Sequence, residues 1–451
     1  MRFERARYAE IYGVVGYGCL GTNLFYVAEM KIAVAHQIAW QIGGAETYLA
    51  QLFDWLRQAG YESVLLVANS LQRDSRSEVS PIVDDPHVSI YSIQDLGEET
   101  ALQSLRDWAP DVIFVNSIAE PNLEVKLQAI ARSVRFIHTF EADCLNGSRF
   151  HTRPEISVCS HRFGLPCLVR FFSSGCGQNN LPINPRRLRE VRDSFRQEKP
   201  RLAVLHDYSK IVVMSAYMAQ RYRELGLKNV GTAFDEYQPH DDNIHPESSR
   251  SSMPIPVKTA ARLLFLGRHE DAKGGHILLE ALPLIAKELG FKLHLTMANI
   301  GSRYEAWKRQ AEDIMKDSID IQIDLPGWKN AEEVKTLIAG SDLLVVPSLW
   351  AEPFGLVGVE AARLGCPTVA FDRGGISEWL KDDFNGYLAA SNPPSPENLS
   401  AAISRCFENP DVLPRFQRNA PEIGRHFELS HHFVRLVRVF QKFRKNELVE
   451  V

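Results

Sequence analysis

The sequence predicts an α/β fold made of two Rossmann-like domains. Units of strand, glycine-containing turn and helix recur in both halves of the chain, the pattern of a parallel sheet covered by helices. A polar stretch over 241–258 separates the halves and has the composition of a linker. A length of 451 residues and a hydrophobic content of 45% suit two domains of ordinary size, each with its own core.

The charge and cysteine content exclude two classes of protein. Lys and Arg number 51 against 56 Asp and Glu, so the chain lacks the basic excess that would make nucleic acid its main partner. The seven unevenly spaced cysteines do not resemble the disulfide framework of a small secreted protein. We therefore expect a cytoplasmic protein.

Residues 1–29 precede the first predicted strand. The apolar stretch 11–28 follows Arg2, Arg5 and Arg7, and this combination raises the alternative of a signal sequence or a membrane anchor. Four glycines and an Asn interrupt the stretch, which is unlike a membrane span. We expect a loosely ordered extension, with a membrane element as the alternative.

The first domain is predicted over 30–240. It opens with an apolar strand, followed by Gly43 and Gly44 and by a helix whose apolar residues recur three and four positions apart. The glycine pair lacks the G-x-G-x-x-G of a dinucleotide site. A turn that needs positive φ is the alternative to a role in ligand binding. Further strands are predicted at 63–68 and 112–116.

His138 lies at the end of a later strand of this domain. It is therefore predicted at the carboxyl edge of the parallel sheet, where Rossmann-like folds build their binding sites. The alternative is a structural role, because a single histidine can equally be part of the packing of the fold.

A cysteine-rich segment and a basic run follow. Cys144, Cys159, Cys167 and Cys176 lie in a stretch rich in Gly, Ser, Pro and Arg. Four thiolates could hold a structural zinc ion, but no C-x2-C pair is present, so we expect thiols, with zinc as the alternative.

The basic run begins at Arg186, ends at Arg196 and is predicted to be helical. It is either a solvated helix face or a peripheral contact with anionic membrane head groups or a phosphorylated acceptor.

The second domain is predicted over 259–429. Arg268 and Lys273 follow its first strand beside a glycine turn that leads into a helix. Cations at such a helix N-terminus suit a phosphate group. A charged surface loop is the alternative.

The stretch 348–386 contains two strand–turn–helix units and two carboxylates. Glu352 lies on the first turn, and Glu360 lies in the helix that follows it. Helix N-termini at the carboxyl edge of a sheet suit a pyrophosphate, and carboxylates there can accept hydrogen bonds from sugar hydroxyls. The apolar neighbours of Glu360 predict that it is buried, with a solvated helix face as the alternative.

These motifs resemble those of a known family. Glu352 and Glu360 stand in PS-x3-EPFGLV-x2-EA, followed by G-x-P-x-VA and GG-x2-E, which resembles the E-x7-E region of the retaining glycosyltransferases of family four. Arg268 and Lys273 are similar to the Arg and Lys of that family's G-R-x4-K-G segment. The resemblance implies the GT-B fold, in which two Rossmann-like domains face each other across a cleft. It also implies that a C-terminal helix, 430–446, crosses back onto the first domain.

The same resemblance implies roles for individual residues. His138 matches the His of a His-Asp pair, although Thr139 replaces the Asp, and it would face the anomeric region of the donor. Glu352 would bind sugar hydroxyls and Glu360 the ribose. The donor diphosphate would be bound by the following residues: Arg268, Lys273, Phe354, Gly355 and Leu356. The loop at Gly43 and Gly44 would approach the diphosphate or the acceptor.

The function implied is retaining transfer of a sugar from a nucleotide diphosphate sugar. A UDP-sugar is favoured over a GDP-sugar, and the unidentified acceptor would be a glycan, a glycolipid or a natural-product precursor. Fixed cations would replace a metal, since the chain has no Asp-x-Asp triplet, and no cofactor is implied. The expected location is cytoplasmic or peripheral on the inner face of the membrane. A GT-B phosphorylase, a non-catalytic GT-B partner and a membrane-anchored assembly factor are the alternatives.

Overall fold

The structure is a computed structural model, and it describes residues 30–41, 44–72, 80–176, 184–237 and 260–443. The expected extension 1–29, the expected linker 241–258 and Gly43 lie outside these residues. Among the described helices, none is both long enough and apolar enough to cross a bilayer.

In the part of the first domain that the structure describes, seven parallel strands form the sheet. They are β1 (Lys31–His36), β2 (Glu62–Val67), β3 (Ile90–Ser92), β4 (Val112–Ser117), β5 (Ser133–Ile137), β8 (Lys210–Val213) and β9 (Val230–Thr232). Their order in the sheet is β3-β2-β1-β4-β5-β8-β9. Apolar runs such as VIFV in β4 are buried, as expected for central parallel strands covered on both faces.

Helices join these strands as parallel connections require. They are α1 (Gly44–Ala59), α2 (Ile93–Leu96), α3 (Glu98–Trp108), α4 (Pro121–Gln128), α5 (Pro166–Ser173), α6 (Pro185–His206) and α7 (Ala216–Glu224). Between β5 and α6 the chain makes an insert that contains α5 and a two-stranded antiparallel hairpin, β6 (Phe150–His151) with β7 (Ser157–Val158).

Among residues 260–443, six parallel strands form the second sheet. They are β10 (Ala260–Leu266), β11 (Lys292–Ala298), β12 (Ile321–Gly327), β13 (Leu343–Val346), β14 (Thr368–Phe371) and β15 (Gly386–Ala389), in the order β12-β11-β10-β13-β14-β15. Its helices are α8 (Gly275–Leu289), α9 (Tyr304–Asp317), α10 (Ala331–Gly340), α11 (Leu356–Arg363), α12 (Ile376–Trp379), α13 (Pro396–Glu408) and α14 (Val412–His426). Two helix-covered parallel sheets confirm the predicted fold class.

The last helix, α15 (Leu429–Gln441), packs on the first domain. The hydroxyl of Tyr48 in α1 lies 2.7 Å from Nε2 of His432. Phe440 is fully buried, with its ring centre 5.6 Å from that of Phe114 in β4. Helix α15 thereby completes the core of the first domain.

Candidate active site

Glu352 lies on the turn between β13 and α11, and only 4% of the residue is exposed. Its Oε1 accepts hydrogen bonds from Nζ of Lys273 at 2.7 Å and from Oγ of Ser348 at 2.5 Å. Burial alone would raise the pKa of this carboxyl, but Lys273 and the hydrogen bonds hold its pKa below the ordinary value. Glu352 is therefore a carboxylate at neutral pH, held in one orientation.

Lys273 reaches Glu352 from the end of a neighbouring strand, β10. A short 3-10 turn, Asp271–Lys273, follows that strand and ends at Gly274, whose φ is +70°. A Cβ at Gly274 would lie 1.8 Å from the carbonyl oxygen of Pro347, so only glycine lets this turn approach the end of β13. The close approach of the two turns brings the ammonium and the carboxylate together.

No side chain of the described residues caps the N-terminus of α11. Gly355 occupies the N-cap position with φ of +90°. Beneath it, the buried Trp379 donates a hydrogen bond from Nε1 to the carbonyl oxygen of Phe354 at 2.5 Å, and a Cβ at Gly358 would lie 2.0 Å from the Trp379 ring. The first N–H groups of α11 are thus held at the carboxyl edge of the sheet, where they suit an anion.

The second glycine turn packs on the main chain of Glu352. Gly375 N donates to Glu352 O at 2.8 Å. A Cβ at Gly374, whose φ is +68°, would lie 2.2 Å from the same oxygen. The two turns of the 348–386 stretch therefore form one rigid platform under the carboxylate.

Glu360 differs from expectation, because the structure leaves it exposed. The prediction of a buried carboxylate was wrong because short residues carry the packing of α11, namely Gly358, Ala361 and Ala362, and these do not cover Glu360. Desolvation nevertheless raises the pKa of Glu360, while Arg363 opposes the rise.

Arg268 and Gly44 are also exposed. Arg268 lies two residues after the end of β10, on the same segment that leads to Lys273. Gly44 is the first residue of α1, and a Cβ there would meet nothing within 4 Å. Neither packing nor backbone angle therefore requires glycine at position 44.

His138 directly follows β5 at the carboxyl edge of the first sheet and is half-buried. Its Nε2 lies 2.5 Å from Oδ1 of Asn116, whose Nδ2 lies 3.3 Å from Nδ1 of His36. Nε2 of His36 in turn lies 3.1 Å from Oε1 of Glu46. If the Asn116 amide donates to His36, its oxygen accepts from Nε2 of His138, which leaves Nδ1 of His138 as an acceptor.

The protonation state of His138 agrees with this assignment. Burial, followed by the positive charge of Arg135, lowers the pKa of His138 to about 3. The imidazole is therefore neutral at physiological pH.

A series of ring contacts connects His138 to the second domain. The ring centres of His138 and Tyr48 lie 5.6 Å apart, and Tyr48 contacts His432 through its hydroxyl. The ring of His432 lies 5.5 Å from that of Phe234, which stacks on Phe354 at 5.2 Å. Phe354 precedes the N-cap of α11. His138 on the first domain and the N-terminus of α11 on the second are therefore connected through one packed core.

Glu378 makes a direct polar contact between the domains. Its Oε1 accepts a hydrogen bond from the backbone N–H of Tyr217 at 3.2 Å, at the N-terminus of α7. Burial raises the pKa of Glu378 to about 7, and Glu236 adds to the rise, while the backbone of Tyr217 and Ala216 and the charge of Lys381 oppose it. This carboxyl therefore titrates near neutral pH.

Several of these residues had no role in the sequence-based prediction. Ser348 and Glu378 lie inside the motifs PS-x3-EPFGLV and GG-x2-E, so the motifs contained a signal for them. The sequence contained no signal for Asn116, His36 and Glu46. Their hydrogen-bonded connection to His138 depends on β1, β4 and β5 being neighbours in the sheet.

Comparisons with known proteins agree with this architecture. Residues 252–423 match the family model of glycosyl transferases group 1. A D-inositol 3-phosphate glycosyltransferase 2 of Catenulispora acidiphila is 30% identical over 217 residues, which are 45% of this chain and 47% of the relative. A D-inositol 3-phosphate glycosyltransferase of Nocardioides is 25% identical over 256 residues, 52% of this chain and 55% of the relative. The chain thus spans about half the length of these curated relatives.

A solved structure matches over both domains. HepE of Anabaena, in complex with UDP-glucose, superimposes with a TM-score of 0.59 at 17% identity, covering 92% of this chain and 100% of that chain. At this identity the match establishes the fold, which is GT-B. The chain therefore has the GT-B fold, and its second domain is similar to the glycosyl transferases group 1 family.

Proposed function

We propose that this chain transfers a sugar from a nucleotide diphosphate sugar to an acceptor, with retention of the anomeric configuration. The observation that carries the proposal is the pair of Lys273 and Glu352, a fixed cation and a fixed carboxylate on the turn that leads into the uncapped α11. Cleavage of a sugar–diphosphate bond leaves negative charge on the departing phosphate, which a fixed cation and backbone N–H groups stabilise. The family match of residues 252–423 supports this reaction.

The donor diphosphate is assigned to the cations and amides of the second domain. The Lys273 ammonium has three N–H donors and gives one to Glu352, so it can keep this partner while it contacts a phosphate oxygen. The exposed Arg268 lies on the same segment after β10 as Lys273. The assigned groups are Arg268, Lys273 and the backbone N–H groups of Phe354, Gly355 and Leu356.

The sugar and ribose are assigned to the carboxylates. Glu352 binds hydroxyls of the transferred sugar, and the exposed Glu360 binds the ribose. His138 faces the anomeric region from the first domain, where its neutral imidazole accepts or donates a hydrogen bond without adding charge. The loop at Gly43 and Gly44 approaches the diphosphate or the acceptor.

A UDP-sugar is the favoured donor. The bound UDP-glucose of HepE supports this choice, since that protein shares the fold over both domains. The acceptor class is a glycan, a glycolipid or a natural-product precursor. We assign the protein to the cytoplasm, with no cofactor and no catalytic metal.

The basic run is assigned to peripheral contact with an anionic membrane or a phosphorylated acceptor. It lies on α6, where the following arginines are exposed: Arg186, Arg189, Arg192 and Arg196. Arg186 pairs with Glu190 and Arg192 with Asp193, so only part of this charge is available to a partner. Co-sedimentation with anionic and with neutral vesicles tests the assignment, which predicts salt-sensitive binding to the anionic vesicles alone.

The test of the proposed function is a donor panel without added metal. UDP-, GDP-, ADP- and TDP-sugars are each incubated with wild type and with Glu352→Gln, and melting temperature and sugar release are measured. We expect one UDP-sugar to raise the melting temperature of wild type and to be hydrolysed slowly by wild type only. Binding without turnover would favour a non-catalytic GT-B protein. Phosphorolysis without nucleotide binding would favour a phosphorylase.

A further inference from the structure

The insert between β5 and α6 brings four cysteines to one cavity. Cys144, Cys159, Cys167 and Cys176 are spread over 33 positions of sequence, yet all four line the same cavity of about 20 Å³. Cys144 lies in the loop after β5, Cys159 follows β7, Cys167 is in the first turn of α5, and Cys176 lies three residues beyond the end of α5. A cavity of this size admits one atom or ion of about the size of a water molecule.

Arg149 is the residue that draws these segments together. Its guanidinium is buried and donates to Oδ2 of Asp143 at 2.6 Å and to the carbonyl oxygen of His161 at 3.3 Å. It also donates to the carbonyl oxygen of Cys159, whose own N–H donates to the carbonyl oxygen of Arg149 at 2.7 Å. The loops that carry Cys144 and Cys159 are therefore fixed next to each other by contacts other than the sulfurs.

Backbone N–H groups point at the sulfurs. Arg149 N lies 3.3 Å from Sγ of Cys144, and the backbone of Asn146 also donates toward this sulfur. The backbone of His161 donates toward Cys159 in the same way. Such hydrogen bonds favour the thiolate over the thiol, and the thiolate is the form that binds metal ions.

His151 supplies a second, independent sign of a ligand. The residue lines the cavity and is 9% exposed, and its Nε2 is buried with no hydrogen-bond partner within the described residues. A buried imidazole nitrogen without a partner costs free energy, and native structures seldom leave one. A metal–thiolate group in the cavity would provide that partner.

We propose that this cavity is a structural zinc site, with the sulfurs of Cys144, Cys159, Cys167 and Cys176 as its four ligands. Binding Zn²⁺ exchanges four S–H protons for four Zn–S bonds, and the four protons pass to solvent. The product carries two negative charges, which the positive charge of Arg170 in the cavity lining opposes. The small volume selects a single ion over an iron–sulfur cluster.

Binding requires a local adjustment of the side chains. In the described part of the chain, no three Cys, His, Asp or Glu side chains already stand at metal-binding distances. The thiols must therefore turn from their present hydrogen bonds, such as that of Cys144 with Oδ1 of Asn146 at 3.1 Å, toward the centre of the cavity. The segments themselves are already in place.

The zinc site would stabilise a part of the molecule that lies between the two domains. The insert begins directly after His138, and Phe150, next to His151 in β6, is buried in the same apolar cluster as residues of the second domain. Zinc would therefore fix the segment that joins His138 to this inter-domain contact. Its loss is expected to lower the melting temperature.

Metal analysis of the full chain, purified without chelator from zinc-supplemented medium, tests the proposal. We expect about one zinc ion per chain, and Co²⁺ added to the reduced apo chain should give the intense near-ultraviolet absorption of cobalt–thiolate bonds. The wild-type result does not depend on how any variant folds. Zinc below roughly a tenth of an ion per chain, together with no cobalt–thiolate band, would overturn the proposal, as would iron–sulfur absorption.

Cysteine variants identify the ligands. Cys144→Ser and Cys159→Ser are expected to lose most of the zinc, and chelator should no longer change their melting temperatures. Cys366→Ala is the control, because Cys366 is buried in the second domain away from the cavity. Retention of zinc in both serine variants, or its loss in Cys366→Ala alone, would contradict the assigned ligands.

Discussion

At the scale of single residues, the charge of Glu352 has the most direct consequence. Glu352→Gln keeps the size of the side chain but removes the charge that pairs with Lys273 and accepts from Ser348. We expect turnover of the donor to fall by about 10²-fold or more, since a fixed polar group at the reacting sugar is lost. Steady-state rates and the affinity for UDP are the measurements. Unchanged turnover would show that Glu352 serves only the fold.

Glu378 predicts a pH dependence of stability. Its pKa of about 7 lies above the ordinary 4.5, so the native state holds the proton more tightly than the unfolded chain. This contribution to stability is complete below the unfolded value and is lost as the pH rises through about 7. Glu378→Gln mimics the protonated form, so the variant should gain melting temperature relative to wild type between about pH 5 and about pH 8.

The exposed Glu312→Gln is the control for this series, and its difference from wild type should not change with pH in that window. A constant difference between Glu378→Gln and wild type across the window would contradict the pH account.

Residue-level prediction from the sequence placed Glu352 and Lys273 on turns that follow strands, and the structure has both residues there. Glu352 and Lys273 were each named, but their contact was not, because it depends on Gly274 approaching Pro347 from another strand. The burial of Glu360 was predicted wrongly, since an apolar helix does not reveal which of its faces the small residues leave open.

At the scale of elements, α11 rests on the ring of Trp379. Gly358→Ala places a methyl group where the ring already lies, 2.0 Å away, so α11 or Trp379 must shift. We expect a loss of about 1–3 kcal/mol in the free energy of unfolding, together with weaker donor binding as the amides of α11 move. Chemical denaturation and UDP titration measure the two effects.

Gly340→Ala is the matched control for this change. Gly340 also lies in a helix, α10, but it is exposed, and a Cβ there meets nothing within 4 Å. Alanine should be neutral or stabilising by up to about 1 kcal/mol. Equal losses in the two variants would mean that the ring contact is not the cause.

The long elements were predicted well because buried parallel strands and amphipathic helices have distinct periods. The sequence did not predict three short edge strands, namely β3, β9 and β15. Each has three or four residues, and pairing with a longer neighbour defines it more than its own sequence does.

At the scale of the whole molecule, helix α15 is expected to stabilise the first domain. Phe440→Ala in α15 removes a fully buried ring that contacts Phe114 of β4. We expect it to cost about 3–5 kcal/mol although it lies near the C-terminus. The exposed Arg438→Ala on the same helix is the control and should have little effect. Similar midpoints for the two variants in chemical denaturation would show that α15 does not support the first domain.

The two-domain organisation followed from length, composition and the polar stretch between two sets of strand–turn–helix units. The contacts between the domains could not be predicted in this way. The series of ring contacts from His138 to Phe354 joins residues that are more than two hundred positions apart. Such contacts have no local signature in one sequence.

The measurement that tests the central claim most directly is calorimetric titration of UDP into wild type, Lys273→Met and the control Lys335→Met. Lys335 is exposed on α10 and pairs with Glu332, so its loss should leave UDP affinity unchanged. If Lys273 and the turn at Glu352 form the donor site, wild type binds one UDP and Lys273→Met binds it about 10- to 100-fold more weakly. Equal UDP affinity in all three proteins would contradict the account.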